Sequence, residues 1–147
     1  MDASLPRVTV AVEDRILLHL LGQLDERDRY IVSREVTRRG IAEACAMHPP
    51  NVSRSMKSLE RQHLVRSGTS SVRQETRRQK AWHLTDGGEK HAHERRKRLG
   101  ETMVLIRDVR GRLIEVPAKD VGERLDASMD LLSILMYAAA ERVLTYG

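Results

Sequence analysis

Two adjacent prolines, Pro49 and Pro50, constrain the middle of this chain more than any other pair of residues. Neither has an amide N–H and both hold φ near about −65°, so the pair is excluded from a helix interior but suits a first helical turn. Val52, Met56 and Leu59 then recur at helical spacing, which predicts a helix over about 50–63. On a helical wheel Met56, Leu59 and His63 fall within about 40° of Val52 and form the inward stripe. Pro50, Arg54, Lys57 and Arg61 gather around the opposite pole, with Ser53 and Ser58 flanking and Asn51 near the start. Glu60 is the single acid between Ala46 and Val65. Solvated helix faces ordinarily mix charge signs, so this one reads as addressed to something negative.

The charge of the whole chain repeats that asymmetry. Residues 34 to 98 hold 16 Lys or Arg against 7 Asp or Glu, while the remainder holds 10 against 14. A basic middle beside a slightly acidic remainder is the pattern of a polyanion-binding module with an accessory part. At 147 residues the chain reads as one domain, or one domain with an appended element. It has no Phe, one Trp and three Tyr, so its core is expected from Leu, Ile, Val, Met and Ala. The lone Cys45 excludes an intrachain disulfide framework and suits a reducing cytoplasm. The N-terminus has no signal-peptide pattern and no apolar run approaches about 18 residues, so neither export nor a membrane span is expected.

Along the chain, residues up to Val10 read as a loose arm with a possible extended stretch. Val12, Ile16, Leu20 and Leu24 predict a helix over 12–24, with Glu13 and Asp14 in its favourable first turn. A charged loop and a short extended lead-in at 30–33 follow. Thr37 is expected to cap a short helix with Ile41, Ala44 and Cys45 inward. After the proline-started helix, two β-favouring runs make a hairpin whose charged tip carries Arg73, Arg77, Arg78 and Lys80 against Glu75. Such a ribbon can follow a phosphate backbone or place Arg in a minor groove. Trp82 reads as core. Thr85 or Asp86 caps a polar helix ending at Gly100, and a second hairpin turns at Arg110-Gly111. A final helix over about 127–144 is apolar around most of its circumference. It is therefore expected to bury a second surface against another copy of the chain, giving a C2 dimer.

These pieces resemble a winged helix–turn–helix domain of the MarR-like type, especially its archaeal branch. The pattern has "GIA", a turn, "V-S-R-x-x-x-x-L", a glycine- or arginine-rich wing, and an aromatic followed by "xLT-x-x-G". Here they are Gly40-Ile41-Ala42, Val52-Ser53-Arg54 with Leu59, Arg73 to Arg78, and Trp82 with Leu84-Thr85 and Gly88. The resemblance covers roughly residues 12 to 95. It implies a recognition helix at about 50–63 and a wing at about 67–84. That family follows its wing with long dimerising helices, whereas a hairpin at 102–116 intervenes here, so its ligand pockets are not carried over.

The expected fold class is α+β, mainly α: a winged helix–turn–helix over 1–100, then a C-terminal β-hairpin and dimerisation helix over 101–147. The expected function is a sequence-specific, double-stranded DNA-binding transcriptional regulator. Pro50, Asn51, Ser53, Arg54, Lys57, Ser58 and Arg61 are the recognition-helix contacts; Arg73, Gln74, Arg77, Arg78 and Lys80 are the wing contacts; Arg38 and Arg39 support them. A homodimer through the C-terminal helix and a cytoplasmic, nucleoid-associated location go with this reading, and no small-molecule effector is specified. The rival reading is an architectural or chromatin protein with little sequence preference. No cofactor, metal or catalytic residue is expected: His91 and His93 have no ligand spacing, and no HExxH, CxxC, P-loop or nucleophile motif occurs.

Overall fold

The computed structural model describes residues 7–145. The first six residues of the expected N-terminal arm lie outside it. Contacts group the chain into two compact units, Val12–Glu94, and the segment through Ala11 together with the chain from Arg95 onward.

In the first unit, α1 (Val12–Leu21) buries Ile16, Leu17, Leu20 and Leu21. It ends three residues before the expected limit, because a separate 3-10 turn takes Leu24–Glu26. The short strand β1 (Ile31–Val32) follows. Helix α2 (Arg38–Ala44) starts at Thr37, whose Oγ1 accepts the Gly40 N–H at 3.3 Å and donates to the Arg34 carbonyl at 2.6 Å. Ile41, Ala42 and Cys45 are buried, and Ala44 is only half-buried. Gly40 is obligatory here: a Cβ would stand 2.1 Å from the Arg34 carbonyl oxygen. The chain turns at Ala46, with φ +54°, into α3 (Pro49–Arg61). Val52, Met56 and Leu59 face inward as expected. His63 does not: it lies beyond the helix, exposed, with φ +59°, because the helix has ended at Arg61 and the chain must reverse into a strand.

Strands β2 (Val65–Val72) and β3 (Arg78–Leu84) form an antiparallel hairpin, registered from Val65↔Leu84 to Ser71↔Arg78. β1 adds to β2 in parallel, giving the order β1-β2-β3. Helix α4 (Asp86–Leu99) is capped by Thr85, whose Oγ1 accepts the Gly88 N–H at 2.9 Å.

The second unit contains the predicted hairpin, β4 (Met103–Arg107) with β5 (Leu113–Pro117), Gly111 turning it at φ +77°. The Asp108 carboxylate accepts the Arg110 and Arg112 amides, both at 2.9 Å. Those amides and the adjacent Arg112 guanidinium hold its carboxyl below the usual range. The expected long C-terminal helix is not formed. A short helix α5 (Val121–Leu125) ends at Asp126 in the left-handed region, and α6 (Leu131–Ala139) starts afresh on the Asp130 carboxylate, which accepts the Ser133 N–H at 2.8 Å. Glu141, at φ +59°, ends α6, and strand β6 (Leu144–Thr145) then pairs in parallel with β4. Leu132, Ile134, Leu135 and Ala138 are already buried in the single chain. Met129, Leu131, Met136, Ala139 and Val143 are half-buried, so this chain's own core takes up only part of the apolar circumference that suggested a dimer seam.

Candidate nucleic-acid interface

Helix α3 is held from behind by its buried stripe, so its opposite side is presented outward. Pro50, Asn51, Arg54, Lys57 and Arg61 are exposed there, and Ser53 is half-buried beside them. Among the described residues, Arg54, Lys57 and Arg61 enter no ion pair, although they share a short helix face with like charges. Beside the start of α3 an open cleft of about 390 Å³ is edged by Arg15, His48, Asn51 and Arg54.

Ser58 is not part of this face. It is half-buried, and its Oγ donates to the Glu13 carboxylate of α1 at 2.8 Å, a partner 45 residues away. Glu60, the one acid of the helix, is also engaged. Its Oε1 accepts the indole N–H of Trp82 at 3.0 Å. The outward side of α3 therefore carries no free carboxylate.

In the wing, Gln74 sits at the tip with φ +65°, and Arg77 is exposed and has no ion pair among the described residues. Arg78 donates from Nη2 to the Thr69 carbonyl at 3.0 Å across the hairpin. Lys80 Nζ lies 5.4 Å from the centroid of the Trp82 ring, a cation–π arrangement that leaves the ammonium exposed. Arg73 departs from expectation. Its Nη2 donates to Glu26 Oε1 at 2.6 Å, and Glu26 Oε2 accepts the Ser33 N–H at 3.0 Å. Arg73 thus ties the wing to the body of the unit, because a nearly buried carboxylate needs a cation beside it.

Arg38 and Arg39 are exposed in the first turn of α2. Glu43 of that helix is taken by Arg34, at 2.6 and 2.7 Å through two nitrogens. The pair raises the Arg34 guanidinium and lowers the Glu43 carboxyl, in both cases chiefly through the shared hydrogen bonds.

Sequence reasoning missed Glu26, Ser33 and the Glu60–Trp82 bond as parts of the site. It also passed over Tyr30, which is 96% exposed just before β1, the strand that flanks the wing. The buried Trp was legible as core, and a buried indole N–H requires an acceptor. Which acceptor it would find was not legible.

The order α1-β1-α2-α3-β2-β3, with β1 added in parallel to a hairpin that follows the second helix of a helix–turn–helix, defines a winged helix–turn–helix. Val12–Glu94 thus has that fold, and its sequence pieces resemble the MarR-like type. Comparisons with protein-family models and with curated proteins return no match. Among solved structures the chain is similar to Staphylococcus aureus MepR in complex with DNA, at 26% identity over 58% of this chain and 54% of that one, TM-score 0.44. It is similar to S. aureus MepR bound to ethidium bromide, at 26% identity over 59% and 54%, TM-score 0.44. A Lactococcus lactis ZitR variant in apo form matches at 24% identity over 59% and 55%, TM-score 0.45. The similarity spans about half the length of each of these proteins.

Proposed function

We propose that this chain is a transcriptional regulator that binds double-stranded DNA sequence-specifically, with α3 in the major groove and the β2–β3 wing along the adjacent backbone or minor groove. The observation that carries the reading is the exposed row of Asn51, Arg54, Lys57 and Arg61, without ion pairs among the described residues, on a helix whose only carboxylate is bound to Trp82. An α-helix fits the major groove, where Arg reads guanine and Asn reads adenine through paired hydrogen bonds. Arg77 and Lys80 supply wing charge for phosphates, and Arg38 and Arg39 add to it at the helix in front.

In this reading Arg73 and Ser58 serve the frame rather than the DNA. A homodimer presenting two recognition helices about one duplex turn apart suits the domain type. Its seam would lie elsewhere than on the buried face of α6.

Competition binding tests the proposal. The chain should prefer a selected sequence over random duplex by about 10³-fold or more. Arg54→Ala should relax base preference by about 1–3 kcal/mol at one position. Arg77→Ala should weaken all sequences alike and lower the salt slope by about 1. Equal affinity for selected and random DNA would instead establish the architectural reading.

A further inference from the structure

We infer that Glu60 and Trp82 form a positioning pair that fixes the wing at a set distance from the recognition helix, so that wing cations and α3 engage one duplex together. The inference rests on the DNA-binding reading but concerns residues that touch no DNA.

Position 60 is a poor place for an acid on local grounds. It lies in the last turn of α3, where the partial negative end of the helix disfavours a carboxylate. It also sits on a helix otherwise cationic along its outward side, where a free acid would repel phosphate. Trp82, in contrast, needs it. The ring is 2% exposed, so its N–H has to be satisfied internally, and the Glu60 carboxylate does so with a charge-assisted bond of 3.0 Å.

Trp82 is in the middle of the hairpin, opposite Ser67, and Lys80 stands two residues further toward the tip on the same strand. The Lys80 ammonium rests over the same ring that Glu60 holds. A route of direct contacts therefore runs from α3 through Glu60 and Trp82 to a wing cation. At the base of the hairpin, between the residues that follow α3 and β3, Thr85 Oγ1 donates to the His63 carbonyl at 2.6 Å and the Thr85 N–H to the Leu64 carbonyl at 3.0 Å. Further out, β1 pairs with β2 at Ser71 and Val72, and Arg73 reaches Glu26; these tie the hairpin to the body of the unit but not to α3. Among the described residues, the Glu60–Trp82 bond is the side-chain hydrogen bond that joins the hairpin to α3 itself, and so sets the distance between them.

Two measurements test this. In the free protein, nitroxides attached at Gln62→Cys and Thr76→Cys report the wing–helix distance by electron double resonance; the buried Cys45 takes no label. The distribution should be narrow in the parent and in Glu60→Gln, which keeps an acceptor. It should broaden in Glu60→Ala and in Trp82→Phe, which keeps the ring packing but loses the N–H. An unchanged distribution in both overturns the pair.

On a random-sequence duplex, Lys80→Ala should lower the salt slope by about 1 in the parent and in Glu60→Gln, and by much less in Glu60→Ala. Equal losses in all three backgrounds also overturn it. Failure of the parent chain to bind any duplex would overturn the DNA reading instead, a result the distance measurement does not share.

Discussion

The Glu26–Arg73 pair gives the sharpest stability prediction. Glu26 is nearly enclosed, its side chain 10% exposed, while Arg73 is 52% exposed and its guanidinium reaches in from the wing. Fully exposed pairs contribute about 0.2–1 kcal/mol, and breaking a buried one costs about 3–5 kcal/mol. Water reaches Arg73 freely but Glu26 poorly, so Arg73→Ala should cost about 1–2 kcal/mol, mostly as the penalty of an enclosed carboxylate left with the Ser33 N–H alone. Glu26→Gln removes that charge and keeps an acceptor for Ser33. The double variant should therefore be less destabilised than the two single costs together, with a coupling of about 1 kcal/mol. Urea denaturation followed by Trp82 fluorescence reads the right unit, because the only Trp lies in Val12–Glu94. With a slope of about 1–3 kcal/mol per molar, the Arg73→Ala midpoint should fall by several tenths of a molar or more. Single costs that add to within about 0.3 kcal/mol would refute the reasoning, since the two side chains would then act independently.

Other outcomes follow from single residues. Burial pushes the Cys45 thiol up to about 12, so at neutral pH a disulfide-exchange reagent should modify it only as fast as the domain opens. Burial also lowers the His83 pKa, so the unfolded chain binds a proton there first on acidification. Its stability contribution is present above the unfolded value of about 6.5 and is lost as pH falls toward the folded one; thermal melts of His83→Gln should show a shallower decline over that window. A Cβ on Gly88 would stand 1.8 Å from the Leu64 carbonyl oxygen, whereas one on Gly87 meets nothing closer than 3.9 Å. Gly88→Ala should cost about 2 kcal/mol or more, and Gly87→Ala should be neutral or mildly stabilising in the same melt.

What was legible beforehand were features decided within a few residues. Thr37 caps α2 through the Gly40 amide, the two prolines begin α3, Thr85 caps α4 and Gly111 turns the second hairpin, each from local backbone chemistry. The tips of long side chains were not legible. Ser58 and Arg73 read as cationic-face and wing residues, but their acceptors Glu13 and Glu26 come from 45 and 47 residues away. The C-terminal run failed for a different reason. A wheel counts how much of a helix is apolar without saying whose surface covers it, and 127–144 is divided by an Asp130 cap and a left-handed Glu141 into a short helix and a strand.

The start of α3 has a consequence for how such a protein could change its target. A helix normally begins with four amides in need of acceptors. Here Pro49 and Pro50 have none, and the Asn51 and Val52 amides both turn back to the His48 carbonyl, at 2.9 and 3.3 Å. His48 accordingly makes no side-chain cap, although it occupies the capping position. Position 48 is therefore released from structural duty at the edge of the proposed groove contact. From Pro49 to Val52, with two amides missing and two taken, any grip on a nearby phosphate has to come from side chains. Substitutions at 48, 51 and 54 could then alter recognition one residue at a time while the fold beneath them stayed the same.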